Sequence, residues 1–435
     1  MTSVRKSQVA TRSLLAALGI FAGGVVSANA ADLGGNCCAD LEERIAELEA
    51  TTARKGNRKV SLTITGWVNE ALFFWDDGTA SDVYAGTNDL ERSRIKFTGK
   101  AKIDGDWGAG YTLELGVRGN NSSKFSQSDD AQTNAIDLRK SSWFIENKNL
   151  GKVTVGLDGA ATYHLLDDAD ATNTRNYSDA EAASIAMGAF QLRSGGAPVG
   201  ANLKWTDVLR GFNNATPGQN GRRDIVRYDS PAFQGFVVTA AWGEDDFWDA
   251  ALTYNNKLGD FKVVAKGGYG SGNDKTQTAC HSGAKDLDCQ WWGVAGTVMH
   301  EPTGLYVYGA YGSQHDNRGS DPALVTPVEE TDTMWLVQAG IEQKFFPLGK
   351  TTLFGEYRRD EAGTPISKKD PGPGAYVVST DVNFWGAGVV QNIDAAAMDL
   401  YVIYRHADGE LTNDGGTKIG LDDFDMVITG ARIQF

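Results

Sequence analysis

Between Arg94 and Ile103 the chain alternates with a period of two. Ile95, Phe97, Gly99, Ala101 and Ile103 are apolar or small, and Arg94, Lys96, Thr98, Lys100 and Lys102 stand between them. An extended strand sorts such residues onto opposite faces, whereas a helix would mix them. One face then seeks an apolar surrounding while the other carries a ladder of cations. A soluble sandwich would turn that ladder to water, and a membrane barrel would turn it into its lumen.

The same period runs through most of the chain. Val60, Leu62, Ile64 and Val68 oppose Ser61, Thr63, Thr65 and Asn69, over a length that crosses a membrane at a tilt. After the hairpin signal Asp104-Gly105, Tyr111, Leu113, Leu115 and Val117 oppose Thr112, Glu114 and Arg118. A fourth strand runs to about Asn147, Asn149-Leu150-Gly151 turns the chain, and Lys152 to Leu157 is the fifth. Eleven more follow Gly221, among them Leu305-Val307-Gly309-Tyr311 and Met398-Leu400-Val402-Tyr404 read at every second residue. Short connections near Pro231, Lys257, Pro302, Pro347 and Asn392 alternate with long ones near Glu244, Gly270 to Cys289, Ser313 to Thr331, Asp360 to Ser379 and His406 to Asp422. An even count of sixteen, with short turns at one end and long loops at the other, predicts an all-β fold: a 16-stranded antiparallel transmembrane β-barrel. The 52 glycines and 43 aromatic residues suit many strands and tight turns. No twenty-residue apolar run lies outside the N-terminus, which excludes a helical membrane bundle. A net charge of -15 argues against a nucleic-acid partner.

Residues 1–30 read as a signal peptide. Arg5, Lys6 and Arg12 form the positive end, Leu14 to Val26 the apolar run, and Ala28-Asn29-Ala30 a small-x-small cleavage site. Residues 31–58 then form an N-terminal periplasmic helical segment ahead of the barrel, 59–435. Cys38, Leu41, Ile45, Leu48 and Thr52 fall at heptad spacing, which suits either a short coiled coil or an amphipathic helix packed on its own barrel. Leu41, Arg44, Ile45, Leu48 and Glu49 are the oligomerisation candidates. Arg44-Ile45-Ala46-Glu47-Leu48-Glu49 resembles a pattern associated with trimeric coiled coils, although Ile at a with Leu at d leans toward dimers.

Asp158 to Gly221 interrupts the strand pattern for too long to be an ordinary connection. It holds Tyr163, Leu165, Leu166, Tyr177, Ile185, Met187, Phe190 and Trp205 beside its acids, so it needs an interior to fold into. The path of Ala201 to Phe212 stays open between a second layer lining the pore and an excursion toward a neighbouring subunit. In an oxidising compartment, Cys280 and Cys289 bracket a ten-residue loop and are expected to form a disulfide. Cys37 and Cys38 suit either interchain bonds or free thiols.

Arg227-Tyr228-Asp229-Ser230-Pro231-Ala232-Phe233-Gln234-Gly235-Phe236 resembles the Arg-Tyr-Asp-Ser-Pro-x-Phe-x-Gly hairpin of Gram-negative general porins. Leu150-Gly151-x-x-x-x-Gly156 is similar to the turn and strand before the porin constriction loop, and Ala431-Arg432-Ile433-Gln434-Phe435 to the terminal signal ending in Phe. The helical segment looks like an addition in some alphaproteobacterial porins. The resemblance implies a homotrimer in outer-membrane lipid and lipopolysaccharide, each barrel a water-filled pore narrowed by an inward third loop, here residues 158–221. The helix would guide trimerisation or reach toward peptidoglycan.

In such a pore, loop acids face wall cations across the throat and orient polar solutes in a transverse field. The acidic candidates are Asp158, Asp167, Asp168, Asp170, Asp179 and Glu181; the basic ones are Arg92, Arg94, Lys96, Arg118, Arg139 and Arg227. His164, His281, His300, His315 and His406 show no zinc spacing, Asp168-x-Asp170-x-Thr172 lacks the glycine and final acid of a calcium loop, and no Gly-x-Ser-x-Gly elbow occurs. The expectation is therefore a porin without catalytic residues, metal or cofactor, passing small hydrophilic solutes and ions. A solute-selective channel for sugars, small anions or dicarboxylates is the alternative, and an outer-membrane hydrolase the second.

Overall fold

The computed structural model describes residues 59–130, 134–176, 189–199, 203–208, 216–244, 246–273, 280, 288–317, 329–362 and 377–435. Leu41, Arg44, Ile45, Leu48 and Glu49 lie outside them, as do Cys37, Cys38, Asp179 and Glu181.

Sixteen antiparallel strands form one closed wall. They are β1 (Thr63–Asp76), β2 in two pieces (Ser81–Thr87 and Arg94–Asp104), β3 (Trp107–Arg118), β4 (Ala135–Asn147), β5 (Gly151–Gly159), β6 (Arg222–Asp229), β7 (Phe236–Trp242) and β8 (Trp248–Leu258). The second half comprises β9 (Phe261–Gly272), β10 (Cys289–His300), β11 (Leu305–Asp316), β12 (Thr331–Phe346), β13 (Gly349–Ala362), β14 (Val377–Ile393), β15 (Met398–Asn413) and β16, again in two pieces (Lys418–Gly420 and Phe424–Gln434). Neighbours in the chain pair with one another, and β1 closes the ring by pairing with β16 from Trp67↔Gln434 to Asp76↔Asp425. β5 pairs directly with β6, Lys152↔Asp229 to Gly159↔Arg222, so residues 160–221 leave and re-enter the wall at adjacent positions. They are a loop, with five wall strands before it and eleven after.

Two strands differ from the sequence reading. The second strand begins at Ser81, thirteen residues before Arg94, and β15 continues through His406 to Asn413, where a loop was expected. Both added stretches lie toward the long-loop end, and polar and apolar residues do not alternate strictly along them, so the period is silent. Each broken strand bends inward at its break. Between the pieces of β2, Asn88 caps a short 3-10 turn, Asp89–Glu91, by accepting the Leu90 N–H, and Asn88, Asp89 and Leu90 are buried.

Turn chemistry fixes the short end. Gly105 has φ +51 between β2 and β3. At the β6–β7 tip Gln234 and Gly235 have φ +50 and +88, while Phe233 and Phe236 exchange backbone hydrogen bonds at 2.9 Å each. Two consecutive positive φ values match the twist of the flanking strands, which explains the Gly235 position.

The outward face is apolar. Along β10, Trp292, Val294 and Val298 are exposed while Trp291, Ala295, Thr297 and Met299 are buried inside. Cross-strand aromatic pairs ring β8 to β15: Trp248–Tyr269, Trp292–Tyr311, Trp335–Tyr357 and Trp385–Tyr404, with centroids 5.0–5.6 Å apart. Their amphipathic rings belong at a membrane interface. On β16, β1 and β2 the outward positions include Thr429, Ala431, Val68, Leu72, Gly99 and Ala101 instead.

Candidate functional site

The inner face of β2 to β6 carries the basic candidates, and wall acids pair with most of them. Asp89 receives Arg92 at 3.0 Å and Arg118 at 2.9 Å, and Asp137 receives the same two at 3.4 and 3.1 Å. Arg94 lies 2.9 Å from Glu91 and 3.3 Å from Glu114, and its guanidinium stacks 4.3 Å over Trp67. Arg139 meets Glu114 at 2.7 Å. Arg227 lies 3.9 Å from Asp158 and donates to the Gly159 carbonyl at 2.7 Å. Lys96, half-buried, stands beside Glu114 in the β2–β3 ladder.

A bulge at Arg139 arranges this cluster. The β3–β4 register shifts between Glu114↔Lys140 and Leu115↔Leu138, leaving Arg139 as an extra residue. Two consecutive cations, Arg139 and Lys140, thereby both reach lumenal acids, Lys140 through Asp158 at 2.8 Å. Strict alternation would have sent one of them outward, so the sequence pattern identified Arg139 and missed Lys140. The wall acids Asp89 and Glu91 were missed too, because the inward turn at 88–93 leaves no periodic signal, and so was Asp137 near the start of β4.

The loop's first arm lies along the opposite wall. Asp249 on β8, 1% exposed, accepts the N–H groups of Ala161 and Thr162 at 2.9 and 2.8 Å and the Thr162 hydroxyl at 2.6 Å. Trp291 Nε1 donates to the same hydroxyl at 2.9 Å. Farther on, Tyr308 donates to the Leu166 carbonyl, Thr297 to that of Ala169, and Thr174 to Gln338, while the Asn173 N–H donates to Glu342 and its amide to Asp399. The arm thus runs from β8 to β15. The chain returns over paired glycines of β10 and β11: a Cβ on Gly312 would lie 1.7 Å from the Pro217 carbonyl oxygen.

This course separates the acidic candidates. Asp158 is a wall residue at the end of β5 and is the one acidic candidate among the described residues that meets the basic side. Asp167 pairs with His164 at 2.6 Å, Asp168 with Lys266 of β9 at 2.9 Å, and Asp170 accepts from Thr172 and Thr174. Tyr163 stands between the two sides: Arg222 donates to its hydroxyl at 2.9 Å and Lys140 lies 5.3 Å over its ring. Burial alone would raise this phenol, but His164, Arg222, Arg139 and Lys140 around it hold it below the ordinary phenol value.

The second arm packs inside the wall on β1 and β14 to β16. Phe190, Leu203, Trp205 and Val208 are buried with Trp75 of β1, Phe384 of β14, Leu411 of β15 and Phe424 of β16. Phe190 lies 4.9 Å from both Trp75 and Phe424 between ring centroids. Of the stretch 201–212, the described residues 203–208 therefore form a second internal layer. At the rim, the expected disulfide joins Cys280 to Cys289, Cα to Cα 5.9 Å, beneath which Phe247 stacks on Trp291.

Three solved structures share this architecture. The anion-selective porin from Comamonas acidovorans aligns over 86% of this chain and 100% of its own, at 14% identity and TM-score 0.55. The outer membrane channel DcaP of Acinetobacter baumannii aligns over 88% and 100%, at 13% and 0.51, and Salmonella typhi OmpF in complex with daunomycin over 87% and 99%, at 13% and 0.50. No curated protein matches the sequence. A family model described as Gram-negative porin matches residues 15–416, nearly the whole length, and this chain belongs to that family.

Proposed function

We infer that this porin forms a water-filled outer-membrane channel through which small hydrophilic solutes and ions diffuse passively. The observation that carries the reading is a closed sixteen-strand wall with a charged inner face and a long loop folded inside it. The basic cluster of β2 to β6 is set against a loop arm bearing Asp167, Asp168 and Asp170, an arrangement that favours polar over apolar solutes. Purified protein in a planar bilayer should give stepwise, ohmic single-channel currents; a protein that inserts and stays silent contradicts the channel.

Ion preference follows from the throat. Arg139, Lys140 and Lys96 beside Arg94 favour anions on the basic side, in line with the printed selectivity of the Comamonas porin. A reversal potential under a salt gradient should therefore carry the sign of anion preference, and Lys96→Glu should move it toward cations.

A trimer has support on the outer surface. The outward arc of β16, β1 and β2 includes the small residues Thr429, Ala431, Gly99 and Ala101, and Glu70 of β1 points outward, exposed, accepting from Thr87 at 2.8 Å. A carboxylate facing hydrocarbon is costly, so a neighbouring subunit is its natural cover. We propose that residues 31–58, read from the sequence as a helical segment, guide trimerisation from the periplasm; their deletion should lower oligomer size in detergent without abolishing conductance.

A further inference from the structure

We propose that the hairpin Arg193–Pro198 is a rim latch that fixes the loop's second arm as a second constriction, and that this layer sets the largest solute the channel admits. The proposal rests on the channel reading. The first arm covers the inner wall from β8 to β15, and the second covers β1 and β14 to β16 at the long-loop end. Together they leave the charged face of β2 to β6 as the open boundary of the path.

The second arm is held in two different ways. Its apolar side is sealed, with Phe190, Leu203 and Trp205 at most 1% exposed, whereas Gln191, Arg193 and Lys204 are half-buried. Apolar contacts of this kind resist removal but fix no register, because they are non-directional. Register comes from the tip. Gly195 and Gly196, at φ +60 and +84, make the two-residue turn between Arg193–Ser194 and Ala197–Pro198. Asp422, in the break of β16, accepts both glycine N–H groups at 3.0 and 2.7 Å and donates its own N–H to the Arg193 carbonyl at 2.7 Å. Arg193 pairs with Asp77 in the turn after β1. The Gln127 side chain, between β3 and β4, accepts the Gln191 N–H and donates to the Gln191 carbonyl, both at 2.9 Å, as a neighbouring strand would.

Three segments far apart in the chain thus converge on six residues of the loop. Directional bonds from three sides hold an element in one place, which is what a size filter requires. Because the anchors sit in a turn, a loop and a strand break, they can be removed without touching the ladder of the wall.

The test uses the full-length protein, with Cys37→Ser and Cys38→Ser as the parent. Asp422→Ala with Gln127→Ala and Arg193→Ala removes all three side-chain anchors of the tip; single-channel conductance should rise about twofold, and liposome swelling should admit larger sugars, since both follow pore width. Asp422→Asn, which keeps one acceptor, should fall between. A Cβ on Gly196 would lie 3.5 Å from the Thr79 hydroxyl oxygen, so Thr79→Cys with Gly196→Cys should cross-link on oxidation. Added to the unlatched variant, that bond should return conductance and size limit to the parent values, and reduction should release them. The proposal is overturned if unlatched channels keep the parent's conductance and size limit, or if the cross-link forms and does not restore them. A parent that conducts nothing overturns the channel reading itself.

Discussion

Asp249 shows how one buried side chain can hold a pore's dimensions. Its carboxylate satisfies two backbone N–H groups and a hydroxyl at the root of the loop, in a site closed to water. Asp249→Ala should strand the Ala161 and Thr162 donors at a cost of about 1–3 kcal/mol each. The expected outcome is a barrel that stays folded by heat-modifiable gel mobility but shows noisier open-channel current; Asp249→Asn, which still accepts, should recover part of the loss. Unchanged noise in the alanine variant would remove Asp249 from the loop's support. Nothing in the sequence singled this residue out. It lies in Trp248–Leu258 among other polar residues, and its partners are about ninety residues earlier in the chain. Arg94, Arg139 and Arg227 were legible because they sit on alternating faces, and the Cys280–Cys289 bridge because its spacing and compartment sufficed. The acids were not, since Asp167, Asp168 and Asp170 lie in an aperiodic segment where composition cannot say which wall they meet.

At the scale of elements, the strands with apolar outward faces were readable and the rim pieces were not. Ser81–Thr87 and His406–Asn413 carry no strict alternation, yet they frame the breaks from which Asp89, Arg92 and Asp422 work. The latch also has a defined acid response. Burial favours the neutral form of Asp77, but the N–H groups of Ala80 and Thr79 with Arg193 and Gln127 outweigh it and hold the carboxyl below its usual value. A depressed carboxyl stabilises the folded latch fully above the unfolded value of about 3.9 and loses that contribution as pH falls through the folded one. The latch's contribution to the size limit should therefore stay level from pH 8 down to about 4.5 and weaken only in stronger acid, read as the difference between the parent and an Asp77→Asn variant. A step near pH 6 would assign the control to another group.

For the molecule as a whole, sixteen strands were foreseeable from period, turn spacing and parity, and the inward loop from its apolar residues together with the porin resemblance. For the two-layer filling of the lumen, the sequence left 201–212 open between a second layer and an excursion toward a neighbouring subunit, because Phe190 and Trp205 read only as apolar residues in need of an interior. The ring closes where β1 meets β16, from Trp67↔Gln434 to Asp76↔Asp425. That seam joins the two ends of the chain, and pairing across so long a separation is slow to form. Until β16 pairs with it, β1 keeps an unpaired edge, and an open sheet of this length is prone to aggregate. Removing Phe424 to Phe435 should leave no heat-resistant species on a gel, while the same strand supplied as a separate peptide should restore some. One strand therefore decides whether the other fifteen become a barrel: without β16 at β1, the wall stays an open sheet.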